Sequence, residues 1–224
     1  MLRVPIQSRA HKTRSLVVAA ARRAFAEHGY AATTAKTIAE LARVGTGTFY
    51  HYFPDKDAVL AEISAERTQY LAEEVEKIAS AMPSVSSVES LLEDARARLV
   101  RIVRLSLDYH RDDPGLHAAI EERRGVDPTI QRLMLESEAT LRRRMEDALA
   151  LWGHDGDRQA TAFMMFMLLE GAVHAHVLSQ PVVSDERFLA SLGEALLRLA
   201  LPRSLVGLSQ PIARTLQGVP TCRP

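Results

Sequence analysis

The segment Val44–Lys56, VGTGTFYHYFPDK, concentrates side chains that can donate hydrogen bonds to a polyanion. Thr46 and Thr48 carry hydroxyl groups that suit phosphate oxygens or base edges, and a threonine methyl can pack on the methyl group of thymine. Further donors able to reach phosphates follow directly, namely Tyr50, His51 and Tyr52. This set predicts contact with nucleic acid.

Two glycines and two phenylalanines indicate the shape of this segment. Gly45 is acceptable as a helix N-cap, and Gly47 leaves the first turn without a side chain, so the backbone could approach a duplex closely. Phe49 and Phe53 lie four residues apart and should anchor the helix in a core. The pattern predicts a helix-turn-helix whose second helix, Thr46 to about Tyr52, enters the major groove. The alternative is a structural helical hairpin with aromatic packing.

The elements that would position this segment are also helical. Ser8–His28 has apolar residues at helical spacing and should end at Gly29, while Thr34 and Asp55 are expected N-caps of the second and fourth helices. Five further amphipathic segments predict helices at Val88–His110, Gly115–Arg124, Pro128–Trp152, Asp157–Ser179 and Ser184–Leu201. With no strand-length alternation in the sequence, the fold class is all-α.

We expect three regions along the chain. Residues 1–54 would form a DNA-binding helix-turn-helix domain, called the head below, and residues 55–201 a helical ligand-binding and dimerisation domain, called the body. Residues 202–224 contain several prolines without sustained amphipathic spacing, which predicts an irregular C-terminal tail.

Charge and composition point to a nucleic-acid partner for the head alone. Residues 1–53 hold 8 Lys and Arg against 2 acidic residues, and the remainder hold 20 against 26. The net charge is therefore +6 for residues 1–53 and −6 for the rest of the chain. The one cysteine, Cys222, argues against a disulfide framework and favours a reducing cytoplasm. The longest apolar run, Ala162–Leu169, is shorter than the roughly 20 residues of a membrane span, so no membrane partner is expected.

The segment Thr33–Leu60, TTAKTIAELARVGTGTFYHYFPDKDAVL, resembles the DNA-binding signature of TetR/AcrR-family bacterial transcriptional regulators. The preceding AARRAFAEHGYAATT resembles that family's first helix and its Gly-aromatic end. The resemblance implies that Thr34 touches phosphate, that Thr46–His51 reads the groove and that Lys56 holds a phosphate. The full set of expected DNA-binding residues is Thr34, Lys36, Arg43, Thr46, Gly47, Thr48, Tyr50, His51, Tyr52 and Lys56.

Two positions depart from the family's pattern. Arg43 stands where glycine is common, and Gly45 stands where serine or another capping residue is common. We expect Arg43 to adopt a left-handed turn conformation at some energetic cost, or the turn to differ slightly. These departures affect base preference more than the fold.

The last two predicted helices, at about 157–179 and 184–201, are candidates for a homodimer contact. The first carries apolar residues on more than one side, and the resemblance implies a four-helix interface. The first helix carries Phe163, Met164, Met167, Leu168, Gly171, Ala172 and His176 or Val177, with Phe166, Leu169 and Val173 on adjacent faces. The second helix supplies Phe188, Leu189, Leu192, Leu196 and Leu199. The alternative is a large monomeric core.

A ligand pocket is expected between the long helices of the body. Methionine and aromatic side chains adapt to varied apolar molecules, which favours a hydrophobic small-molecule effector, although such residues are often ordinary core. The candidates are Tyr70, Leu99, Val103, Tyr109, His110, His117, Met134, Met145, Trp152, Phe163, Met167, Glu170 and His174.

A metal site and enzymatic activity are both disfavoured. Glu170 and His174 lie four residues apart, a spacing that could bind a metal with His110 and His117, but histidines scattered on helices are usually hydrogen-bonded or exposed. We expect no metal, no cofactor and no catalytic residue, because no nucleophile, phosphate loop or paired carboxylates are found.

The sequence is thus interpreted as a homodimeric transcriptional regulator in the bacterial cytoplasm, associated with the nucleoid. It would be a repressor of a palindromic operator, released by an effector. The alternatives are an activator or constitutive DNA-binding regulator without an effector, and a helical metalloprotein.

Overall fold

The computed structural model describes residues 6–80, 87–178 and 181–202. Within those ranges the chain forms helices and no strand, which confirms the all-α class. The helices are α1 Ile6–Ala32, α2 Ala35–Ala42, α3 Thr46–Tyr52, α4 Lys56–Ser80, α5 Val88–Arg111, α6 Pro114–Arg124, α7 Pro128–Leu151, α8 Arg158–Leu178 and α9 Asp185–Ala200. The predicted tail beyond residue 202, with Cys222, lies outside the described residues.

The predicted helix starts are confirmed at α2 and α4. The Thr34 hydroxyl accepts a hydrogen bond from the Thr37 amide at 3.1 Å, and the Thr37 hydroxyl accepts one from the Thr34 amide at 2.9 Å, a reciprocal capping box. The Asp55 carboxylate accepts the Ala58 amide at 2.8 Å and so caps α4. These local bonds fix where each helix begins.

The turn between α2 and α3 requires a left-handed residue. Arg43 ends α2 with φ 57° and ψ 42°, the left-handed conformation that was one of the two expected alternatives, and Gly45 then serves as the N-cap of α3 without a side-chain bond. Gly29 kinks α1 with φ 73°, so the predicted stop is a break inside a helix that continues to Ala32. The head therefore contains one strained non-glycine position among the described residues.

The chain divides into two compact units that cut across the predicted domain boundaries. One unit comprises Met1–Val75 and Leu105–Leu141, and the other comprises Glu76–Arg104 and Arg142–Pro224. The first unit is larger than the head because α4 and α6 share its core with α1–α3. The boundary expected at residue 54 remains a prediction about function, since packing does not separate the head there.

The core of the first unit holds helices α1, α2, α3, α4 and α6 together. Its completely buried side chains include one from each of these helices and one from the start of α7: Phe25, Ile38, Phe49, Leu60, Leu116 and Ile130. Gly115 lies so close to α1 that a Cβ atom there would be 2.1 Å from the Ala26 carbonyl oxygen. Only glycine allows α6 to approach α1 in this way.

The second unit buries the leucine face of α9. Leu192, Leu196 and Leu197 are buried, and Gly193 is so close to α5 that a Cβ atom would lie 2.7 Å from a Val100 methyl carbon. An Arg96–Glu194 ion pair at 3.1 Å joins the same two helices. The apolar face of α9 is therefore packed within its own unit.

Candidate nucleic-acid interface

One face of α3 is fixed in the core. Phe49 is completely buried and Phe53 nearly so, with ring centroids 6.0 Å apart. The sequence predicted this anchoring, and the structure confirms it. Because a helix of seven residues is too short to be stable alone, these two rings hold α3 in place.

The other face of α3 is open to solvent. Thr46, Gly47, Tyr50 and His51 are exposed, and Tyr50 keeps 56% of its surface accessible. Two further predicted DNA contacts are partly buried, Thr48 and Tyr52. The exposed side chains end in hydroxyl or ring N–H groups, which suit phosphate oxygens and base edges.

Residues around α2 extend this open surface. Thr34, Lys36 and Arg43 are exposed, and the last two carry positive charge. The Thr34 hydroxyl is already engaged as the cap of α2. The predicted DNA-binding residues before α4 thus lie on α2, α3 and the junctions that begin and end α2.

Lys56 has a structural role that the sequence did not predict. Its ammonium donates to the carbonyl oxygens of Tyr30 at 2.7 Å and Thr33 at 2.8 Å, and lies 3.9 Å from the centre of the Tyr30 ring. Partial burial lowers the pKa of Lys56, with a smaller lowering effect from Arg123. These two bonds use two of the three N–H donors of the ammonium. A contact between the third donor and a phosphate remains a prediction.

Tyr30 and Asp57 connect the end of α1 to α4 and α6. The Tyr30 hydroxyl donates to the Asp57 carboxylate at 2.8 Å, and Arg123 Nε donates to the same oxygen at 2.9 Å. Burial and the bond to Asp57 raise the pKa of Tyr30 to about 12. Sequence reasoning missed this cluster, because its three residues come from helices far apart in the chain.

Comparisons with known proteins agree with this geometry. The family model described as bacterial regulatory proteins, tetR family, matches residues 17–63. The chain is 28% identical over 136 residues to the HTH-type transcriptional repressor AcnR of Corynebacterium efficiens, covering 60% of this chain and 70% of that protein. These matches support a TetR-family transcriptional regulator.

Other relatives of the chain are named as regulators too. The HTH-type transcriptional regulator UidR of Escherichia coli is 30% identical over 111 residues, which cover 48% of this chain and 57% of UidR. A solved structure of a TetR-family regulator from Mesorhizobium loti has a TM-score of 0.69 at 18% identity, covering 86% of this chain and 96% of that one, and supports the fold. These relatives are named as transcriptional regulators, a class that is not enzymatic.

The predicted ligand contacts of this regulator are divided between the two units. Tyr70, Tyr109, His110, His117 and Met134 belong to the first unit, and the other eight belong to the second. Tyr70 and Tyr109 line a cavity of about 350 Å³ in the first unit.

The remaining candidate ligand contacts differ in how deeply they are buried. Leu99 and Val103 are buried, whereas Phe163 and Met167 are each 49% exposed. The rings of His110 and His117 lie 4.7 Å apart, and His110 Nδ1 is 2.7 Å from the Ser106 carbonyl oxygen. A ligand role for these residues remains a prediction.

The exposed stripe of α8 is the main apolar surface predicted for dimerisation. Phe163, Met164, Met167 and Leu168 are all exposed, and Gly171 continues the stripe one turn later. Four- and three-residue spacings place these positions on one helical face. The stripe will be called the α8 face.

Helix α8 also meets the length and composition requirements of a membrane span. Its most apolar 18 residues have a mean hydropathy of 1.4, and 33% of that window is buried. The expectation from the sequence considered only the uninterrupted run Ala162–Leu169, and so missed that Glu170 is the one charged residue between Arg158 and Leu178. Core helices of soluble proteins can have the same length and composition.

Several residues expected at a dimer contact are instead buried within the chain. Leu189, Leu192 and Leu196 on α9 have at most 5% of their surface accessible. His176 is also buried, stacked on the Phe188 ring with centroids 4.0 Å apart and bonded to Asp185 at 2.9 Å. The residue-level prediction for α9 was wrong at these leucines, because the sequence pattern cannot distinguish an internal face from an external one.

Proposed function

We propose that this TetR-family regulator is a repressor that binds a partly palindromic operator as a homodimer and leaves it when a small effector binds the body. The observation that carries the proposal is α3, whose open face of hydrogen-bonding side chains is held over the buried rings of Phe49 and Phe53. A repressor is also named among its relatives, AcnR. Such a protein would work in the cytoplasm at the bacterial nucleoid.

Two copies are required for useful affinity and specificity. One seven-residue recognition helix contacts few phosphates and bases, and helix-turn-helix dimers place two such helices about 34–36 Å apart in successive major grooves. A two-fold symmetric protein then favours an inverted repeat in the DNA. Members of this family bind operators as dimers.

The α8 face supplies a surface suited to a second copy. Its exposed side chains are large and apolar, and exposed apolar patches commonly mark interaction sites. Leu199 on α9, also partly exposed, would contribute at the edge. The proposed dimer thus keeps the two predicted helices but uses α8 more than α9.

The effector would act by differential affinity for two arrangements of the dimer. Helix α4 is the proposed link, since its first residue, Lys56, is bonded to the end of α1 and the helix continues for 25 residues to Ser80. The prediction from the sequence is a hydrophobic effector. A ligand that binds both arrangements equally would have no effect on DNA binding, however tightly it binds.

Selection from a randomised pool of DNA duplexes tests the proposal, using the purified full chain at about 0.15 M salt because phosphate contacts make affinity depend on salt. We expect recovery of an inverted repeat. A chain in which Lys36, Tyr50 and His51 are replaced by alanine should recover none while its far-ultraviolet circular dichroism is unchanged, since all three side chains are exposed.

The alternatives give different results in the same experiment. Enrichment of a sequence from which no small molecule ever releases the protein would indicate a constitutive regulator. Transcription from a reporter carrying the operator separates repressor from activator. No enrichment, and no binding even at low salt, would overturn the proposal and direct attention to the helical metalloprotein.

A further inference from the structure

Two histidines of the first unit are buried side by side where α5 is followed by α6. His110 lies in the last turn of α5 and His117 on α6, and they are 2% and 6% exposed. Their ring centroids are 4.7 Å apart, with 69° between the ring planes. The sequence alone disfavoured a metal site, because histidines scattered on helices are usually hydrogen-bonded or exposed. The fold brings these two together and removes them from water.

The separation of the rings fits two imidazoles on one metal ion. With zinc–nitrogen bonds of about 2.0–2.1 Å, each ring centre lies roughly 3.2 Å from the ion, and two such centres lie roughly 4.5–5.2 Å apart at bond angles of about 90–110°. The observed 4.7 Å falls within this range. The ligand nitrogens of His110 and His117 also lie within 4.8 Å of each other, so small rotations of the side chains would place both on the same ion.

A hydrogen bond determines which nitrogen of His110 has the lone pair. Its Nδ1 lies 2.7 Å from the Ser106 carbonyl oxygen, which can only accept, so Nδ1 carries the proton and donates it. In the neutral ring the lone pair is then on Nε2, as metal binding requires. Histidines that bind metals in proteins commonly donate their other N–H group to a carboxylate or a backbone carbonyl in the same way.

A buried hydroxyl group lies one helical turn before His110. Ser106 is 2% exposed, and its Oγ has no hydrogen-bond partner among the described residues. Residues four apart share a face of a helix, so this hydroxyl is on the same side of α5 as the His110 ring. A metal ion with few protein ligands keeps bound water, and a hydrogen bond from that water would relieve the cost of the unsatisfied hydroxyl.

The type of ligand determines the class of ion. Neutral imidazole suits Zn²⁺, Cu²⁺ and Ni²⁺, whereas Mg²⁺ and Ca²⁺ prefer oxygen ligands. The carboxylate of Asp113, which lies between the two histidines in the chain, accepts from Arg67 at 3.3 Å and is 3.9 Å from Arg22. Its charge is therefore already balanced by arginines, which disfavours an oxygen-seeking cation here.

We propose that His110 and His117 bind a divalent transition-metal ion of the Zn²⁺ class. The ion would connect the end of α5 to α6, the helix that Gly115 brings against α1. The alternative is a purely structural pair of imidazoles that bonds no metal. The proposal does not rest on the proposed function, so a failed DNA selection would leave it unchanged.

Titration of the full chain with Co²⁺ tests the proposal. The chain carries no affinity tag and is first stripped of metal with a chelator, and the visible absorption of Co²⁺ reports its ligands and their geometry. We expect about one equivalent of Co²⁺ per chain, displaced by one equivalent of Zn²⁺ but not by a large excess of Mg²⁺. No saturable binding, or displacement by Mg²⁺ as readily as by Zn²⁺, would overturn the proposal.

Two variants locate the ion. His110→Asn removes Nε2 but keeps an amide donor for the Ser106 carbonyl oxygen, and His117→Gln removes the second imidazole. Each should weaken Zn²⁺ binding at least about tenfold, since even a change outside the direct ligands commonly has that effect. Zn²⁺ affinity equal to that of the parent in either variant would contradict the assignment.

Two controls exclude other metal-binding groups of the chain. His28→Asn removes an exposed histidine of α1, and Cys222→Ser removes the one thiol. Both should bind Zn²⁺ as the parent does. Loss of binding in either control would place the ion elsewhere and overturn the proposal.

X-ray absorption at the zinc edge makes the test independent of folding in the variants. Replacing a buried side chain can unfold a protein, so the ligands are also counted in the unaltered chain with one equivalent of Zn²⁺. Scattering from the outer ring atoms should show at least two imidazoles per zinc ion. A count of one or none would overturn the proposal whatever the variants show.

Discussion

Helices α3 and α8 each bury one face and expose another, but their exposed faces have opposite chemistry. On α3 the open positions include Thr46, Tyr50 and His51, each ending in a hydrogen-bonding group. On α8 they include Phe163 and Met167, which carry no strong donor or acceptor. The first face suits a hydrated polyanion, and the second is stable only when water is removed from it.

The two helices also differ in how they are held. Helix α3 has seven residues and depends on Phe49, Phe53 and a core shared with α4 and α6. Helix α8 has 21 residues and contributes its own buried set, including Phe166 and Val173. A short helix presents side chains accurately only if its support is rigid, whereas a long helix can offer a broad surface by itself.

The largest effect is expected from a charge in the α8 face. Met167→Glu should weaken the proposed dimer at least about 100-fold, because the carboxylate would be buried without a partner. Sedimentation equilibrium measures the dissociation constant directly. Operator affinity should fall with it, since a single head binds weakly.

The matched control is Leu151→Glu, the same kind of change at an exposed leucine at the end of α7. It should leave the dimer unchanged. If Met167→Glu also remains dimeric, the α8 face is not the interface. Partition of the purified parent chain into lipid vesicles would indicate a membrane surface in place of a second copy.

A smaller effect is expected at Gly47, where alanine should stabilise the fold slightly but weaken operator binding. A Cβ atom there would meet nothing within 4 Å, and alanine is favoured over glycine in helices by up to about 1 kcal/mol, so Gly47→Ala should be slightly stabilising. The same methyl group would separate the backbone of α3 from the duplex. We expect operator affinity to fall by about tenfold, roughly the effect of one lost close contact.

Fluorescence anisotropy with a labelled operator and urea denaturation give the two quantities. Gly125→Ala, at another glycine with open space around it, is the control and should leave DNA binding unchanged. Unchanged operator affinity in Gly47→Ala would show that α3 does not approach the duplex at its first turn.

The features of α3 and α8 that depend on neighbouring residues were predictable from the sequence. The cap at Thr34 and the burial of Phe49 follow from residue types and spacing within a few positions, and the left-handed Arg43 was one of two alternatives implied by the family resemblance. The helical class and the apolar character of α8 follow from periodicity. These features account for much of the proposed DNA-binding surface.

Features that depend on packing between distant segments were not predictable. The same leucine spacing in α9 fits an internal or an external face, and only the fold shows that Leu192 and Leu196 are internal. The close approach of Gly115 to Ala26 and the bond from Arg123 to Asp57 join residues more than 60 positions apart. The cavity of about 350 Å³ likewise exists only after α1, α4 and α5 have packed.

The last prediction tests the support beneath α3 through Tyr30. Loss of its hydrogen bond to Asp57 in Tyr30→Phe should lower the free energy of unfolding by about 1–2 kcal/mol at neutral pH. Since the pKa of Tyr30 is raised to about 12 in the folded chain, from 10.0, the unfolded chain releases its proton first as pH rises. The stabilisation by Tyr30 is therefore complete below about pH 10 and is lost between about pH 10 and about pH 12.

Urea denaturation of both chains from about pH 9 upwards measures this difference in unfolding free energy. The gap between parent and Tyr30→Phe should narrow as pH rises through that window, because the variant has no phenol to ionise. Tyr50→Phe, which removes an exposed phenol of α3, controls for general effects of alkali. A gap that stays constant with pH would mean that the Tyr30–Asp57 bond does not couple α1 to α4, and that the core alone supports the recognition helix.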